Sequence, residues 1–239
     1  MINKLMSPPS IDWPTKFARK LEVVIDPSLR NYYAAGVPEP NTPLDEVIFL
    51  AMDFETTGLD SLQDDIITIG TVPFTLNRIL VNQAKHWTVK PRKQLAEESV
   101  IIHGITHTDV LDAPDLAGVY QDVLSQMAGR IMVVHYQRIE REFFANALLA
   151  RINEGIEFPV VDTMQIETQI QHKRNGGILN KIRGRKPESV RLGASRTRYG
   201  LPLYTPHHAL TDAVATAELL QAQIAYHYNP KAPISQLWV

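Results

Sequence analysis

The sequence predicts an α/β fold, a mixed sheet flanked by helices, on three observations. Three β-like stretches, residues 47–53, 66–74 and 79–89, follow one another with short connections, a spacing that favours an antiparallel meander. Farther on, short apolar runs at 131–134 and 158–161 alternate with helical patterns at 115–127, 139–151 and 163–172, which is the signature of α/β units. The clearest periodic stretch closes the series, with Leu210, Ala213, Ala217, Leu220 and Ile224 at helical steps of three and four.

Taken in order, the first 43 residues hold seven of the chain's 16 prolines together with Trp13, Phe17, Tyr32 and Tyr33. Proline is excluded from central strands, so residues 1–45 read as an N-terminal extension, a mostly helical or irregular arm whose apolar side chains dock on the main domain. Residues 46–228 form that domain, with a basic insert at 172–200, and residues 229–239 form a C-terminal tail. The run Val47-Ile48-Phe49-Leu50-Ala51-Met52 fits a strand covered on both faces. It delivers Asp53 and Glu55, which share a face because strand side chains alternate, and then stops at a turn, Thr56-Thr57-Gly58. Two acids on one face suggest a metal site, although acids at strand ends are also common as plain solvated groups. Near the end, Thr205-Pro206 is a plausible cap and first turn for the last helix.

Bulk properties narrow the function. A length of 239 residues, 44% hydrophobic and 21% charged, suits one main globular domain. A net charge of -2 excludes a wholesale basic surface, so nucleic acid would be met by a local patch or through metal ions. No apolar run reaches the length of a membrane span and residues 1–9 contain no secretory h-region, so a cytoplasmic protein with no membrane partner is expected. Without cysteine there is no disulfide, thiolate metal site or cysteine nucleophile.

Further polar residues stand where chemistry could use them. Glu140 falls in the first turn of the helix after strand 131–134, a place where the helix dipole alone favours a carboxylate. His207 precedes Asp212 by five residues at the start of the last helix. At about 3.6 residues per turn the two do not share a helical face, so His207 would have to reach in from the helix entry. His103-Gly104-Ile105-Thr106 is a compact turn, and Asp162-Thr163-Met164-Gln165 resembles a helix cap. Lys173, Arg174, Lys181, Arg183, Arg185, Lys186, Arg191, Arg196 and Arg198 face only Glu188 across 173–198; such a stretch could grip phosphates or be a solvated loop. The terminal Gln236-Leu237-Trp238-Val239 reads as a packed chain end.

Together these residues carry a family resemblance. Asp53-x-Glu55, the acid at Glu140, and His207-x4-Asp212-Ala213 occur in the order and approximate spacing of the DEDDh 3'-5' exonucleases, which include the proofreading epsilon subunit of bacterial replicative DNA polymerase, RNase T and oligoribonuclease. The similarity runs over roughly residues 47–228. It implies an RNase H-like mixed five-stranded sheet of order 3-2-1-4-5. It also implies a metal-dependent 3'-5' exonuclease acting on single-stranded DNA or short RNA, DNA being favoured, and releasing nucleoside 5'-monophosphates. The alternatives are RNA trimming of the oligoribonuclease or RNase T kind and a catalytically silent nucleic-acid-binding or polymerase-associated module. A polymerase or another replication or repair assembly is the implied protein partner.

The chain departs from the family at the middle motif. Tyr136 and Glu140 stand where most relatives offer a small polar residue and an aspartate, so Glu140 reaches the site with one more methylene. The resemblance implies that Asp53, Glu55, Glu140 and Asp212 hold two divalent cations, Mg2+ or Mn2+. Hard cations prefer carboxylate oxygens, and a pair of them stabilises both the attacking and the leaving oxygen of a phosphodiester. In this scheme Asp53 bridges the ions, Glu55 and Asp212 complete one site, and Glu140 acts directly or through water. His207 deprotonates the attacking water as a general base. Thr56, Gly58 and Leu59 would line the terminal-nucleotide pocket, with His103 and Ile105 against the last bases, where stacking tolerates any sequence.

Overall fold

Six strands form one mixed sheet in the computed structural model, which describes residues 11–93, 104–175 and 188–239. Strand β1 (Phe49–Thr56) lies at its centre, antiparallel to β2 (Ile66–Thr75) and parallel to β5 (Ile131–Val134), which is in turn parallel to β6 (Val160–Asp162). Phe49, Leu50, Ala51 and Met52 are all fully buried, as a run apolar on both faces requires. The outer side of β2 carries two pieces, β3 (Arg78–Ile79) and β4 (Lys85–Thr88), both antiparallel to it.

The expected order 3-2-1-4-5 is therefore seen as β3-β2-β1-β5-β6, with β4 beside β3 on β2. The expected third strand, 79–89, is broken into two. A 3-10 turn, Val81–Gln83, lifts residues out of the ladder between the Phe74–Ile79 pair and the Thr71–Lys85 pair, so the sheet counts six strands where five were expected. A half-buried edge strand tolerates such a break because only one neighbour depends on its register.

The arm consists of two helices, α1 (Trp13–Val23) and α2 (Pro27–Ala34). Asp12 and Asp26 cap them by accepting from backbone N–H groups of the first turn, each with a proline following at the helix start. Trp13, Phe17, Tyr32 and Tyr33 are buried in the same core as the sheet, at roughly 1.5–3 kcal/mol for each side chain removed from water. Polar ties fix the orientation. Glu154 accepts from the N–H groups of Ile25 and Asp26, and Tyr120 donates its hydroxyl to Asp26.

Helices cover the rest of the sheet: α3 (His107–Leu111), α4 (Tyr120–Met127), α5 (Arg138–Ile152), α6 (Thr163–Asn175), α7 (Leu192–Arg198) and α8 (Ala209–His227). α8 starts three residues after Thr205-Pro206 would have begun it. Its cap is His208, whose Nδ1 accepts from the Thr211 N–H at 3.4 Å and whose ring stacks on His86 of β4 at 5.0 Å. The expected core stripe is buried at Ala213, Ala217, Leu220 and Ile224, and burial extends round the helix beyond it, at Ala215, Thr216, Leu219 and Gln223. The chain end runs antiparallel along β6, with N–H to carbonyl bonds in both directions between Val160 and Val239, and Trp238 is buried. Among the described residues no helix is long and apolar enough to cross a membrane.

Candidate active site

Asp53 sits near the end of β1, opposite Gly70 of β2. A Cβ on Gly70 would lie 2.3 Å from the backbone of Ala209 and Leu210, so this glycine lets the first turn of α8 rest directly on the strand. Asp212, one turn in, is thereby carried to Asp53. Glu55, two residues along β1, projects to the same face, and ligand oxygens of Asp53, Glu55 and Asp212 all lie within 4.8 Å of one another. Just past Glu55 the β1–β2 register slips by one residue at Thr56, a bulge that bends the strand end beside the acids.

Burial raises all three carboxyls. Desolvation is the largest cause for Asp53, followed by the charges of Glu140, Asp212 and Glu55, and its pKa stands well above the usual range. Glu55 is pushed up to about 7 by desolvation and by Asp212. Asp212 is raised by desolvation, opposed by the N–H groups and side chains of His207 and His208. No lysine or arginine forms an ion pair with any of the three among the described residues. Such a cluster must either hold protons or hold a cation, and an all-oxygen donor set suits a hard divalent one.

Glu140 belongs to the neighbourhood without joining this triad. It is 2% exposed on α5, its Oε2 has no hydrogen-bond partner, and its charge is the second cause of the raised Asp53 pKa. Desolvation raises its own pKa most, opposed by a backbone hydrogen bond and reinforced by Asp162. An unpaired oxygen of a buried carboxylate is costly unless something meets it. Glu142, two residues along, is instead spent on Arg138 and Ser61 at the helix surface.

His207 reaches the site from the helix entry. Its backbone is left-handed at φ 68°, and its N–H donates to Asp212 Oδ2 at 2.8 Å. Its side chain lines a cavity of 640 Å³ together with Asp53, Asp212 and Tyr136. Asp162 does more than cap α6. Its oxygens accept from Met164 and Gln165 in that helix and also from the N–H groups of Tyr136 and Gln137, so it fixes the β5–α5 junction from which Glu140 departs. His135 is structural, its two ring nitrogens meeting Thr163 Oγ1 at 2.8 Å and the Val190 carbonyl at 2.9 Å.

The expected substrate contacts are placed as follows. Thr56 donates its hydroxyl to the Gly58 carbonyl at 2.6 Å. Gly58 lies so close to the Asp64 carboxylate that a Cβ would sit 2.4 Å from Oδ2, and Leu59 is 82% exposed. Ile105 packs against Ile67 and Val110. His103 lies outside the described residues, as do Arg183, Arg185 and Lys186.

Part of the basic stretch proves to be internal. Arg196 is 3% exposed, donating to the Ala215 and Pro202 carbonyls and to Glu218, and Arg198 donates to Glu167 and to the Ser189 carbonyl. These two cations tie α7 to α6 and α8, and neither is free for phosphate. Gly70, the hold of Asp162 on the Tyr136 and Gln137 N–H groups, and the α7 wall of the cavity were the parts that sequence reasoning passed over, whereas the Asp162 cap itself was read correctly. A lone glycine inside a strand was the available signal for the first.

The family model described as Exonuclease (RNase_T) matches residues 50–220, and the chain belongs to this exonuclease family. It is 30% identical over 178 residues to the DNA polymerase III subunit epsilon-like protein of Rhodobacter capsulatus, an alignment covering 74% of this chain and 24% of that protein. It is 26% identical over 183 residues to the DNA polymerase III subunit epsilon of Treponema pallidum, covering 77% and 79%. The chain thus spans about a quarter of the first relative and most of the second. A structure of Exonuclease X in complex with 5' overhanging duplex DNA shares the fold, with TM-score 0.57, 20% identity, and coverage of 77% of this chain and 96% of that one.

Proposed function

We propose that this protein is a metal-dependent 3'-5' exonuclease that removes nucleoside 5'-monophosphates from single-stranded 3' ends, DNA before RNA. The observation that carries the reading is the triad of Asp53, Glu55 and Asp212, with oxygens within 4.8 Å of one another and every carboxyl raised by desolvation. A divalent cation bound there, Mg2+ or Mn2+, supplies charge stabilisation to the oxygens of a phosphodiester. In this assignment Asp53, Glu55 and Asp212 would hold one ion, and Asp53 with the unpartnered Oε2 of Glu140 would hold a second, directly or through water. His207 faces the same cavity and takes the proton of the attacking water. The bond from Asp212 to its N–H holds the imidazole segment in register with the acids. Thr56, Gly58, Leu59 and Ile105 bound the place of the terminal nucleotide, to which His103 is assigned by sequence alone.

The DNA preference follows the epsilon relatives, whose names also suggest that a polymerase or another replication or repair assembly is the partner, and with it a cytoplasmic place of action. Incubation with matched 5'-labelled DNA and RNA oligomers, with Mn2+ or with EDTA, tests the reading. Stepwise shortening that needs the cation and runs faster on DNA is expected. No shortening of either strand with Mn2+ would overturn it.

A further inference from the structure

The cavity beside the triad is larger than the acids require. Its 640 Å³ fall in the range of small-molecule sites, and away from Asp53 and Asp212 its walls include Tyr136, Leu192, Gly193, Leu203 and Tyr204. Of the residues assigned to the terminal nucleotide, the described ones, Thr56, Gly58, Leu59 and Ile105, do not line it. Its walls are aromatic and apolar, yet open to solvent: Tyr136 is 41% exposed, Tyr204 38% and Leu203 79%. Of its two arginines, Arg196 is committed to Glu218 and to the carbonyls of Ala215 and Pro202, whereas Arg191 is exposed.

Tyr136 is the telling residue. Its backbone is held at φ 93° by the bond from its N–H to Asp162, a conformation that costs a non-glycine residue stability. Tyr136 is thereby set in the cavity wall. A flat, exposed ring beside an apolar chamber with one free guanidinium offers stacking to a planar heterocycle and an anion contact next to it.

We propose that this chamber is a second nucleobase subsite, taking an unpaired base that bears a phosphate, stacked on Tyr136 with Arg191 towards the phosphate. The assignment rests on the exonuclease reading, since the chamber shares Asp53, Asp212 and His207 with the candidate site. The base belongs either to the bound strand or to the released monophosphate.

Fluorescence of 2-aminopurine separates these sources and needs no cleavage. In EDTA the probe is placed at each of the last four positions of a single-stranded oligomer, and in a second arm it is supplied as the free nucleoside 5'-monophosphate. Quenching is expected at one strand position, or with the monophosphate, in the wild type. It is lost in Tyr136→Asn, since asparagine accepts a left-handed backbone, and is retained in Tyr136→Phe. Loss of the stacked ring weakens binding of that ligand about tenfold. Gly193→Phe is an independent probe: Gly193 lines the chamber and an added Cβ there meets nothing within 4 Å, so a phenyl group at this position is tolerated, competes with the base and is expected to abolish quenching. Quenching unchanged in both Tyr136→Asn and Gly193→Phe, with circular dichroism confirming their folds, overturns the subsite. Cleavage with Mn2+ is scored separately. Shortening without Tyr136-dependent quenching removes the subsite alone, whereas such quenching without shortening removes the exonuclease reading and leaves the subsite.

Discussion

Glu55→Gln should stabilise the metal-free protein at alkaline pH. Glu55 is pushed from 4.5 to about 7, mainly by desolvation and then by Asp212. A carboxyl whose folded pKa lies above its unfolded value contributes stability that is fully present below about pH 4.5 and lost as the pH rises through about 7. At about 1.4 kcal/mol per pKa unit, keeping this group charged at pH 8 costs the fold up to about 3 kcal/mol. Glutamine has the shape without the ionisation, so the variant in EDTA at pH 8 should melt about 5–10 °C above the wild type. The difference should vanish near pH 4.5, where both side chains are neutral. Mn2+ at a thousandfold excess over its Kd should reverse the order at pH 8, because it stabilises its ligand-competent protein by about 4.1 kcal/mol, more than the charge costs, and the variant lacks one ligand. Thermal unfolding at the two pH values, with and without the cation, reads all of this. Equal melting of variant and wild type at pH 8 in EDTA would refute the desolvated-cluster argument.

Asp53→Ala and His207→Ala should each cripple turnover while leaving the circular dichroism spectrum unchanged, His207→Ala by about 10²–10⁴-fold in kcat; undiminished turnover in either variant removes that residue's role. Gly70→Ala forces a Cβ to within 2.3 Å of the α8 backbone, so chemical denaturation should show a loss of about 1–3 kcal/mol, and activity should fall with it as Asp212 moves off Asp53. Arg196→Met leaves two carbonyls without its guanidinium and Glu218 with only the Tyr204 hydroxyl and should cost about 3 kcal/mol, measured the same way; a neutral result would mean that the α7–α8 tie is dispensable. Neutralising Arg183, Arg185 and Lys186 together should weaken oligonucleotide binding and flatten its salt dependence, and an unaltered slope in a salt titration would take these residues out of the interface.

How much of this was legible in the sequence depended on whether a feature is local. The strand-borne pair was readable because alternation places Asp53 and Glu55 on one face whatever the strand pairs with, and β1 and β5 follow from runs apolar on both faces. The α8 stripe was readable from its period, but not its start, since His208 gains its capping role partly by stacking on His86 of a strand more than a hundred residues earlier. The broken third strand hid for a similar reason: nothing in 79–89 announces that the chain leaves the ladder between Ile79 and Lys85, because only β2 registers the loss. The cationic stretch misled most. Charge density along the chain does not reveal that Glu167 and Glu218, from two other helices, wait for Arg198 and Arg196.

The site owes its geometry to two aspartates that act on the backbone. Three non-glycine residues among those described have left-handed φ, and one, Asn153, is the ordinary C-cap of α5. The other two, Tyr136 and His207, both line the cavity beside the acids. The N–H of the first is bound by Asp162 and that of the second by Asp212. Strain of this kind costs about 1–3 kcal/mol per residue and persists only where surrounding bonds over-determine it. Asp162 thereby fixes the junction that presents Glu140, and Asp212 couples the His207 segment to the carboxylates, so that the acid cluster and the histidine cannot drift apart without breaking a bond to one of these aspartates. Sequence spacing alone sets His207 and Asp212 on different helical faces; the left-handed turn at His207 closes that gap.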